Sequence, residues 1–208
     1  MTENPTTEQA PEPVGFGLAE LTFLLSSFDG PGHARSVEAL EAEGWVSDET
    51  LAQVGLSGLA ARGFVEPGEQ GLGIGGPAST VAHALGEGKL WISLRIDGDG
   101  EPSRVVLVEA DGLRLLLQPG ILNTWFATPV PEELTTSQIA VSVLHQHEEE
   151  RPGNVATATV STRERSSSYR LERDGEGWKI TPVTGDVVDA VSGLGPGEVA
   201  ALFDAAGL

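Results

Sequence analysis

KLWISLRIDGDGEPSRVVLVEADGLRLLLQPGILNTWFATPV, residues 89–130, decides the fold class of this 208-residue chain. It contains four apolar segments separated by GDGEPS, DG and PG, combinations that are typical of tight turns. In the first segment Leu90, Ile92, Leu94 and Ile96 alternate with other residues, which is the period of a β-strand. Because segments joined by such short turns pair as antiparallel neighbours, the stretch predicts a meander of four strands.

The residues after this stretch follow a similar plan. PEELTTSQIAVSVL predicts a helix that begins at Pro131, and HQHEEERPGN is interpreted as a linker. VATATVST, SSYRLER and GWKITP predict three further strands, with Asp174-Gly175 in the last hairpin turn. GDVVDAVSGL and PGEVAALFDAAG predict two closing helices.

An internal repeat links the two groups of strands. WFATPV, residues 125–130, shares Trp, Thr, Pro and Val with WKITPV, residues 178–183. The same register pairs positions of the following predicted helices, Leu134 with Val187 and Val141 with Leu194. Chance similarity in a chain of low residue diversity is the alternative, but two related halves explain both the strands and the helices.

The first third of the chain predicts a helical module. Apolar residues recur at helical spacing from Leu18 to Phe28, where DGPG ends the run. Ser36 is expected to cap a second helix that extends to about Glu43, and Ser47 to cap a third that extends to about Arg62. Three helices followed by RGFVEP predict a winged-helix or similar module.

The predicted fold class is α+β, with two related halves, each an antiparallel β-meander plus helices, sharing a central sheet, and with an N-terminal helical module. Residues 1–15, rich in Pro, Thr and Glu, predict a disordered tail. Residues 16–208 predict a single domain, with halves 16–144 and 153–208. A short helix over residues 78–85 is expected before the first meander.

The composition excludes several classes of function. The formal net charge is −19, from 31 acidic and 12 basic residues, and this field opposes binding to nucleic acid or to anionic membranes. The chain has no cysteine, which excludes disulfides and thiolate sites. No apolar run reaches the roughly 20 residues of a membrane span, and the N-terminal sequence lacks the pattern of a signal peptide. We therefore expect a soluble, cytoplasmic protein without membrane insertion and without a nucleic-acid partner.

The segment GLGIGGP contains the letters of a dinucleotide-binding fingerprint, Gly71-x-Gly73-x-x-Gly76. Such a fingerprint follows a buried strand and opens a βαβ unit. Here the preceding GFVEPGEQ is polar and contains proline, and Asp97, at the spacing of a ribose-binding acid, precedes an antiparallel hairpin. We therefore expect no dinucleotide cofactor and interpret the segment as a mobile loop.

Two segments carry residue types that bind metals. Asp97, Asp99 and Glu101 alternate as at the start of a calcium loop, but the glycine and the final glutamate of such a loop are missing. His145 and His147 lie in HQHEEER, while the other two histidines lie in unrelated segments. Because a zinc site needs three or four ligands, we expect no metal and interpret HQHEEER as a solvated linker.

No arrangement of residues typical of catalysis stands out. The chain lacks Gly-x-Ser-x-Gly and Ser-x-x-Lys motifs, and its carboxylates are scattered over predicted surfaces and turns. We therefore expect no enzyme and assign no catalytic, cofactor-binding, metal or partner-binding residue. Tryptophans such as Trp45, Trp91, Trp125 and Trp178 are more often core residues than binding anchors, and Trp91 and Trp125, on the less apolar faces of their strands, are the stronger candidates for exceptions.

Five segments follow one another over residues 16–208: LAELTFLLSSFDG, LSGLAARGFVEPG, LWISLRIDGDG, VVLVEADGLRLLLQP and SYRLERDGEGWKITPV. This order resembles the EspG family, chaperones of type VII (ESX) secretion in actinobacteria, in overall pattern rather than in one invariant motif. That family consists of two quasi-symmetric αβ halves that share an antiparallel sheet. The resemblance implies a cytosolic, non-enzymatic chaperone that binds a secreted helical substrate, such as a PE–PPE heterodimer, and covers its apolar tip before export.

An acidic adaptor or inhibitor that binds a basic protein partner is the alternative function. Its complex would be sensitive to salt, whereas a chaperone complex held by apolar contacts would not. An enzyme or small-molecule binder would instead need a closed pocket with convergent polar groups. An exposed sheet edge would permit a homodimer in either case.

Overall fold

A computed structural model describes residues 12–68, 71–98, 102–131, 133–184 and 189–208. Within these ranges the chain forms an antiparallel sheet of nine strands, a separate two-stranded hairpin and six helices. The strands are β1 (Val14–Gly17), β2 (Val65–Gly68), β3 (Gly71–Ile74), β4 (Leu90–Asp97), β5 (Ser103–Ala110), β6 (Leu113–Pro119), β7 (Thr124–Pro129), β8 (Val155–Thr162), β9 (Ser166–Asp174), β10 (Gly177–Thr184) and β11 (Val191–Leu194). The helices are α1 (Leu18–Ser26), α2 (His33–Ala39), α3 (Glu49–Ala61), α4 (Gly76–Glu87), α5 (Thr136–Glu150) and α6 (Pro196–Gly207). The predicted α+β class is confirmed.

The large sheet has the order β1-β7-β6-β5-β4-β8-β9-β10-β11. Both predicted meanders are therefore present: β4 to β7 extend from the centre of the sheet toward one edge, and β8 to β10 extend toward the other. At each edge lies a further strand of four residues, β1 beside β7 and β11 beside β10. The repeated sequences lie in β7 and β10, and each of these is the third strand counted outward from β4. The repeat thus corresponds to equivalent positions in the sheet.

The repeat does not continue into the helices, because part of the predicted helix GDVVDAVSGL is strand β11. Residues 185–188 of that segment lie outside the described residues. Gly193 has a φ of 75°, which an ordinary helix does not allow, and β11 pairs with β10 instead. A Cβ atom on Gly177 would lie 2.7 Å from the carbonyl carbon of Gly193, so glycine permits this close pairing.

Two helix starts and the N-terminal boundary also differ from prediction. Val14 and Gly15, assigned to the disordered tail, belong to β1 and pair with β7, while residues 1–11 lie outside the described residues. The second helix begins near Gly32 instead of Ser36. The third is capped by Asp48, whose Oδ1 accepts a hydrogen bond of 2.9 Å from the Leu51 backbone N–H.

Part of the GLGIGGP segment is a β-strand, which corrects its interpretation as a loop. Residues 71–74 form β3, which pairs with β2, and Gly76 begins α4. Gly76 has a φ of 56°, a left-handed conformation that glycine adopts easily and that the chain uses between β3 and α4. The neighbouring strand is an antiparallel hairpin partner, which agrees with the sequence argument against a dinucleotide fingerprint.

Helix α5 starts later and extends further than predicted. The N-cap of α5 is Thr135, whereas the predicted start was Pro131. The Thr135 Oγ1 accepts a hydrogen bond from the Gln138 backbone N–H at 3.1 Å, and Gln138 Oε1 accepts one from the Thr135 backbone N–H at 2.9 Å. This reciprocal pair is a capping box. The helix continues to Glu150, so the predicted HQHEEER linker is mostly helical.

Two apolar cores lie on opposite faces of the sheet. Helices α1 to α4 pack on one face of β5, β6 and β7. Helices α5 and α6 pack on the other face, over β4, β5 and β8 to β10. Trp91 and Trp125 are buried in the first core and Trp178 in the second, so the first two are not exposed binding anchors.

Candidate protein-binding surfaces

Two parts of the sheet keep one face to which none of the described helices packs: one face of β8 to β10, and the hairpin end of one face of β6 and β7. On β8 to β10 this open face follows from the strand register, which places the polar side chains of alternate residues together. These residues are Thr157, Thr159, Ser168, Arg170, Glu172, Lys179 and Thr181. We call this surface the hydroxyl-rich face. Its Arg170–Glu172 ion pair, 2.8 Å from Nη2 to Oε1, is half-exposed and contributes little stability.

The open face on β6 and β7 is apolar near the hairpin that joins these two strands. Phe126 points to this face, opposite Gln118 in the register, and 39% of it is exposed. The hairpin between the two strands then presents Ile121 and Leu122, which are 81% and 90% exposed. We call these two residues the apolar hairpin tip. Large apolar side chains exposed to this degree and next to one another are unusual on a monomer and are typical of contact sites.

A groove of about 400 Å³ lies at the surface where α5 packs against α6. Leu134 stands at its rim and is 45% exposed, while Val141 and Ala200 form its buried floor. The α6 side is built from small residues, since Gly197 and Ala201 also line it. We call this surface the helix groove. Its walls are helices and its lining is mostly apolar, which is the form of a site that accepts another helix.

A hydrogen-bond network holds the N-terminus of α5 and therefore the rim of the helix groove. Arg114 of β6 donates from Nη1 to the Leu134 carbonyl at 3.0 Å, and from Nε to Glu109 Oε2 at 3.2 Å. Glu109 Oε2 also accepts from the Thr136 hydroxyl. Since Glu109 and Arg114 face each other in the β5–β6 pairing, the sheet itself positions Leu134.

The predicted metal-ligand types are not brought together. His145 Nε2 lies 3.5 Å from Glu149 Oε1, one turn along the same helix, and His147 Nε2 lies 3.2 Å from Ser103 Oγ. The part of the chain that the structure describes contains no group of three or more side chains placed to bind a metal. Asp97 pairs with its neighbour Arg95, whereas residues 99 and 101 lie outside the described ranges.

One carboxyl group has a shifted pKa. The Lys89 ammonium donates a hydrogen bond to Asp111, and this bond and the charge of Lys89 hold the pKa of the Asp111 carboxyl below its ordinary value. Asp111 lies in the exposed turn between β5 and β6. The pair is therefore a surface contact and not part of the helix groove.

The sequence predicted no binding role for any residue of the helix groove, although Leu134 and Val141 stand out in it as positions of the internal repeat. The only signal is a set of small residues at positions 197, 200 and 201, one turn of α6, and in an alanine-rich chain this set is inconspicuous. The apolar hairpin tip was also missed, because ILN is predicted as the start of the fourth strand, whereas β7 begins only at Thr124. Its sequence signal is the placement of two large apolar residues where turn residues are expected.

No protein-family model matches the chain, and no curated protein matches it. The similarity to EspG proteins therefore stays a resemblance of sequence pattern. Among the described residues, no helix combines the length and the apolar character that crossing a bilayer requires.

Proposed function

We propose that this chain is a cytoplasmic, non-enzymatic chaperone resembling the EspG proteins of type VII secretion. It holds a secreted helical partner of the PE–PPE type before export, and one helix of that partner packs into the helix groove. The observation that supports this proposal is the groove between α5 and α6, with its small residues on one wall and the exposed Leu134 at its rim.

The groove has the chemistry that a helical partner requires. Small residues such as Gly197, Ala200 and Ala201 allow a partner helix to approach α6 closely, since helix axes pack about 8–10 Å apart depending on the side chains between them. Leu134 and Val141 supply apolar contacts on the α5 side. A partner helix that presents apolar residues at every third or fourth position would bury them here.

The charge of the chain supports a carrier role. Asp204 lies at the wall of the groove, and the whole chain carries a formal charge of −19. A partner helix with Lys or Arg beside its apolar stripe is therefore favoured, because charge complementarity speeds association and selects the orientation. The excess negative charge also opposes association between loaded carriers.

Replacement of one groove residue tests the proposal. Ala201→Trp fills the groove from its exposed wall, while Ala60→Trp places the same side chain on an exposed position of α3 as the matched control. Each variant is co-expressed with a PE–PPE heterodimer and analysed by size-exclusion chromatography. We expect the wild type and Ala60→Trp to form the complex and Ala201→Trp to lose it. If the heterodimer does not co-elute with the wild type, the proposal is wrong.

An acidic adaptor is the second candidate, and its basis is the charge of −19 alone. Its complex would dissociate in high salt, because exposed charges are screened beyond about 8 Å at physiological ionic strength. A chaperone complex held in the helix groove should survive the same wash. Chromatography of the wild-type complex at low and at high salt therefore separates the two candidates.

A further inference from the structure

We propose that the apolar hairpin tip, Ile121 and Leu122, is a second protein-docking site, and that it inserts into an apolar groove between two helices of a partner protein. This inference does not depend on the helix groove. The tip lies where β6 ends and β7 begins, at the Pro119–Trp125 end of the hairpin. Leu134 is held by Arg114 at the other end of β6, roughly 15–20 Å away at 3.4 Å per strand residue.

The backbone of the tip is unfavourable for the residues it carries. Leu122 has φ 57° and ψ 39°, and Asn123 has φ 56°, so both lie in the left-handed region. Glycine and asparagine adopt this region readily, but leucine does so rarely. The turn is closed by a hydrogen bond of 2.6 Å from the Gly120 N–H to the Thr124 carbonyl. Among the described residues, Leu122 contributes neither to that bond nor to either core, and a contact with a partner would account for its large apolar side chain at this position.

The segment that forms the hairpin carries no charge of its own. Residues 115–131 contain no Asp, Glu, Lys or Arg, although 21% of the chain is charged. Phe126, on the open face of β7, extends the apolar surface behind the tip. Burial of residues 115–131 themselves would therefore not strip water from ionised side chains, which is a large cost at most protein surfaces.

The shape and size of the tip indicate its partner. Two side chains and part of Phe126 expose much less than the roughly 800 Å² per partner that a stable flat interface buries. Tip-to-tip association of two copies would therefore be too small to hold, and both copies carry a charge of −19. A projecting pair of side chains buries most surface in a concave apolar site, and the hollow between two packed helices is such a site.

A photo-cross-linker near the tip tests the proposal in the cells that produce the chain. Benzoylphenylalanine at Gln118, an exposed residue beside Phe126, leaves both tip residues unchanged. The same cross-linker at Ser57, exposed on α3, is the control position. We expect Gln118 to cross-link to amphipathic helices of another protein. The proposal is overturned if Gln118 cross-links only to a second copy of this chain or only to extended segments of other proteins. It is also overturned if the cross-link yield from position 118 is no higher than the yield from position 57.

A double variant then separates binding from folding. Ile121→Ser with Leu122→Asn removes the apolar side chains and puts at position 122 a residue that accepts the left-handed backbone. We expect the cross-link from Gln118 to fall by roughly tenfold or more, while the melting temperature is not lowered. Leu72→Ser, at a site 60% exposed on β3, should leave the cross-link unchanged. An unchanged yield in the double variant overturns the proposal, whatever the outcome of Ala201→Trp at the helix groove.

Discussion

Ser36 shows how a residue predicted as a cap serves a different purpose. It is fully buried, and its hydroxyl donates to the Leu85 carbonyl at 2.6 Å while accepting from Trp91 Nε1 at 3.0 Å. One hydroxyl thus connects α2, α4 and β4. The indole N–H of a buried tryptophan needs an acceptor, and here that acceptor lies 55 positions earlier in the chain.

Ser36→Ala should destabilise the fold by about 1–3 kcal/mol, because it leaves both the Trp91 N–H and the Leu85 carbonyl without this partner in a buried site. Urea denaturation measures the change. Ser57→Ala is the matched control, since the Ser57 hydroxyl is exposed and bonds only to the carbonyl one turn earlier. Equal stability of the two variants would show that the buried network contributes nothing.

In LAARGFV, the three consecutive residues Arg62, Gly63 and Phe64 each have a structural role that depends on their order. The Arg62 guanidinium donates to Glu20 Oε2 at 2.7 Å and lies over the Phe64 and Phe16 rings, 4.7 and 5.4 Å from their centroids. Gly63 has a φ of 74°, and the Phe64 N–H donates to the Leu59 carbonyl at 2.9 Å, which ends α3 in a Schellman motif. The helix end was predictable from the glycine, but the partner Glu20 was not, because it lies in another helix.

At the scale of elements, the crossing of α1 and α3 depends on one glycine. A Cβ atom on Gly55 would lie 1.8 Å from the Ala19 carbonyl oxygen, which is backbone and cannot turn aside. The two helices therefore approach each other more closely than any other residue at position 55 would allow. Leu21, Leu24 and Leu59 are fully buried in the same core.

Gly55→Ala should destabilise the fold by roughly 1–3 kcal/mol or more through this clash, although alanine gains about 1 kcal/mol in helix propensity. Because the clash costs more free energy than the higher helix propensity of alanine gains, we expect a net loss of stability. Gly44→Ala is the control, because a Cβ atom there meets nothing within 4 Å, and its stability should stay within about 0.5 kcal/mol of the wild type. Thermal melting followed by circular dichroism measures both, and a Gly55→Ala variant more stable than the wild type would contradict the packing described.

The sequence predicted those elements whose signal is local. Alternation and hairpin turns identified β4 to β10, and the class α+β followed from them. Prediction from the sequence failed where pairing with a distant strand determines whether a segment forms a strand. VGFG forms β1 because β7 offers an edge, and VSGL forms β11 because β10 does, so neither is visible as a strand in isolation. The helix groove depends on the packing of α6 against α5 and was not predictable, whereas the apolar hairpin tip has a local signal, two large apolar residues at a turn.

At the scale of the whole molecule, the excess of 31 acidic over 12 basic residues should make stability depend on salt. Repulsion among like charges destabilises the compact state, and salt screens it. We expect the melting temperature to rise as sodium chloride increases from a few millimolar to physiological strength, where the Debye length is about 8 Å. A fall in melting temperature over this range would mean that surface ion pairs such as Arg35–Glu38 outweigh the general repulsion.

Hydrogen–deuterium exchange of the chain, alone and in complex with a PE–PPE heterodimer, tests the central claim most directly. If a partner helix occupies the helix groove, the amides of α5 over residues 136–142 and of α6 over residues 197–204 will exchange more slowly in the complex. The amides of β8 to β10 under the hydroxyl-rich face will keep their rates. Protection of those strands with no change in α5 and α6 would contradict the account and place the partner on the other side of the sheet.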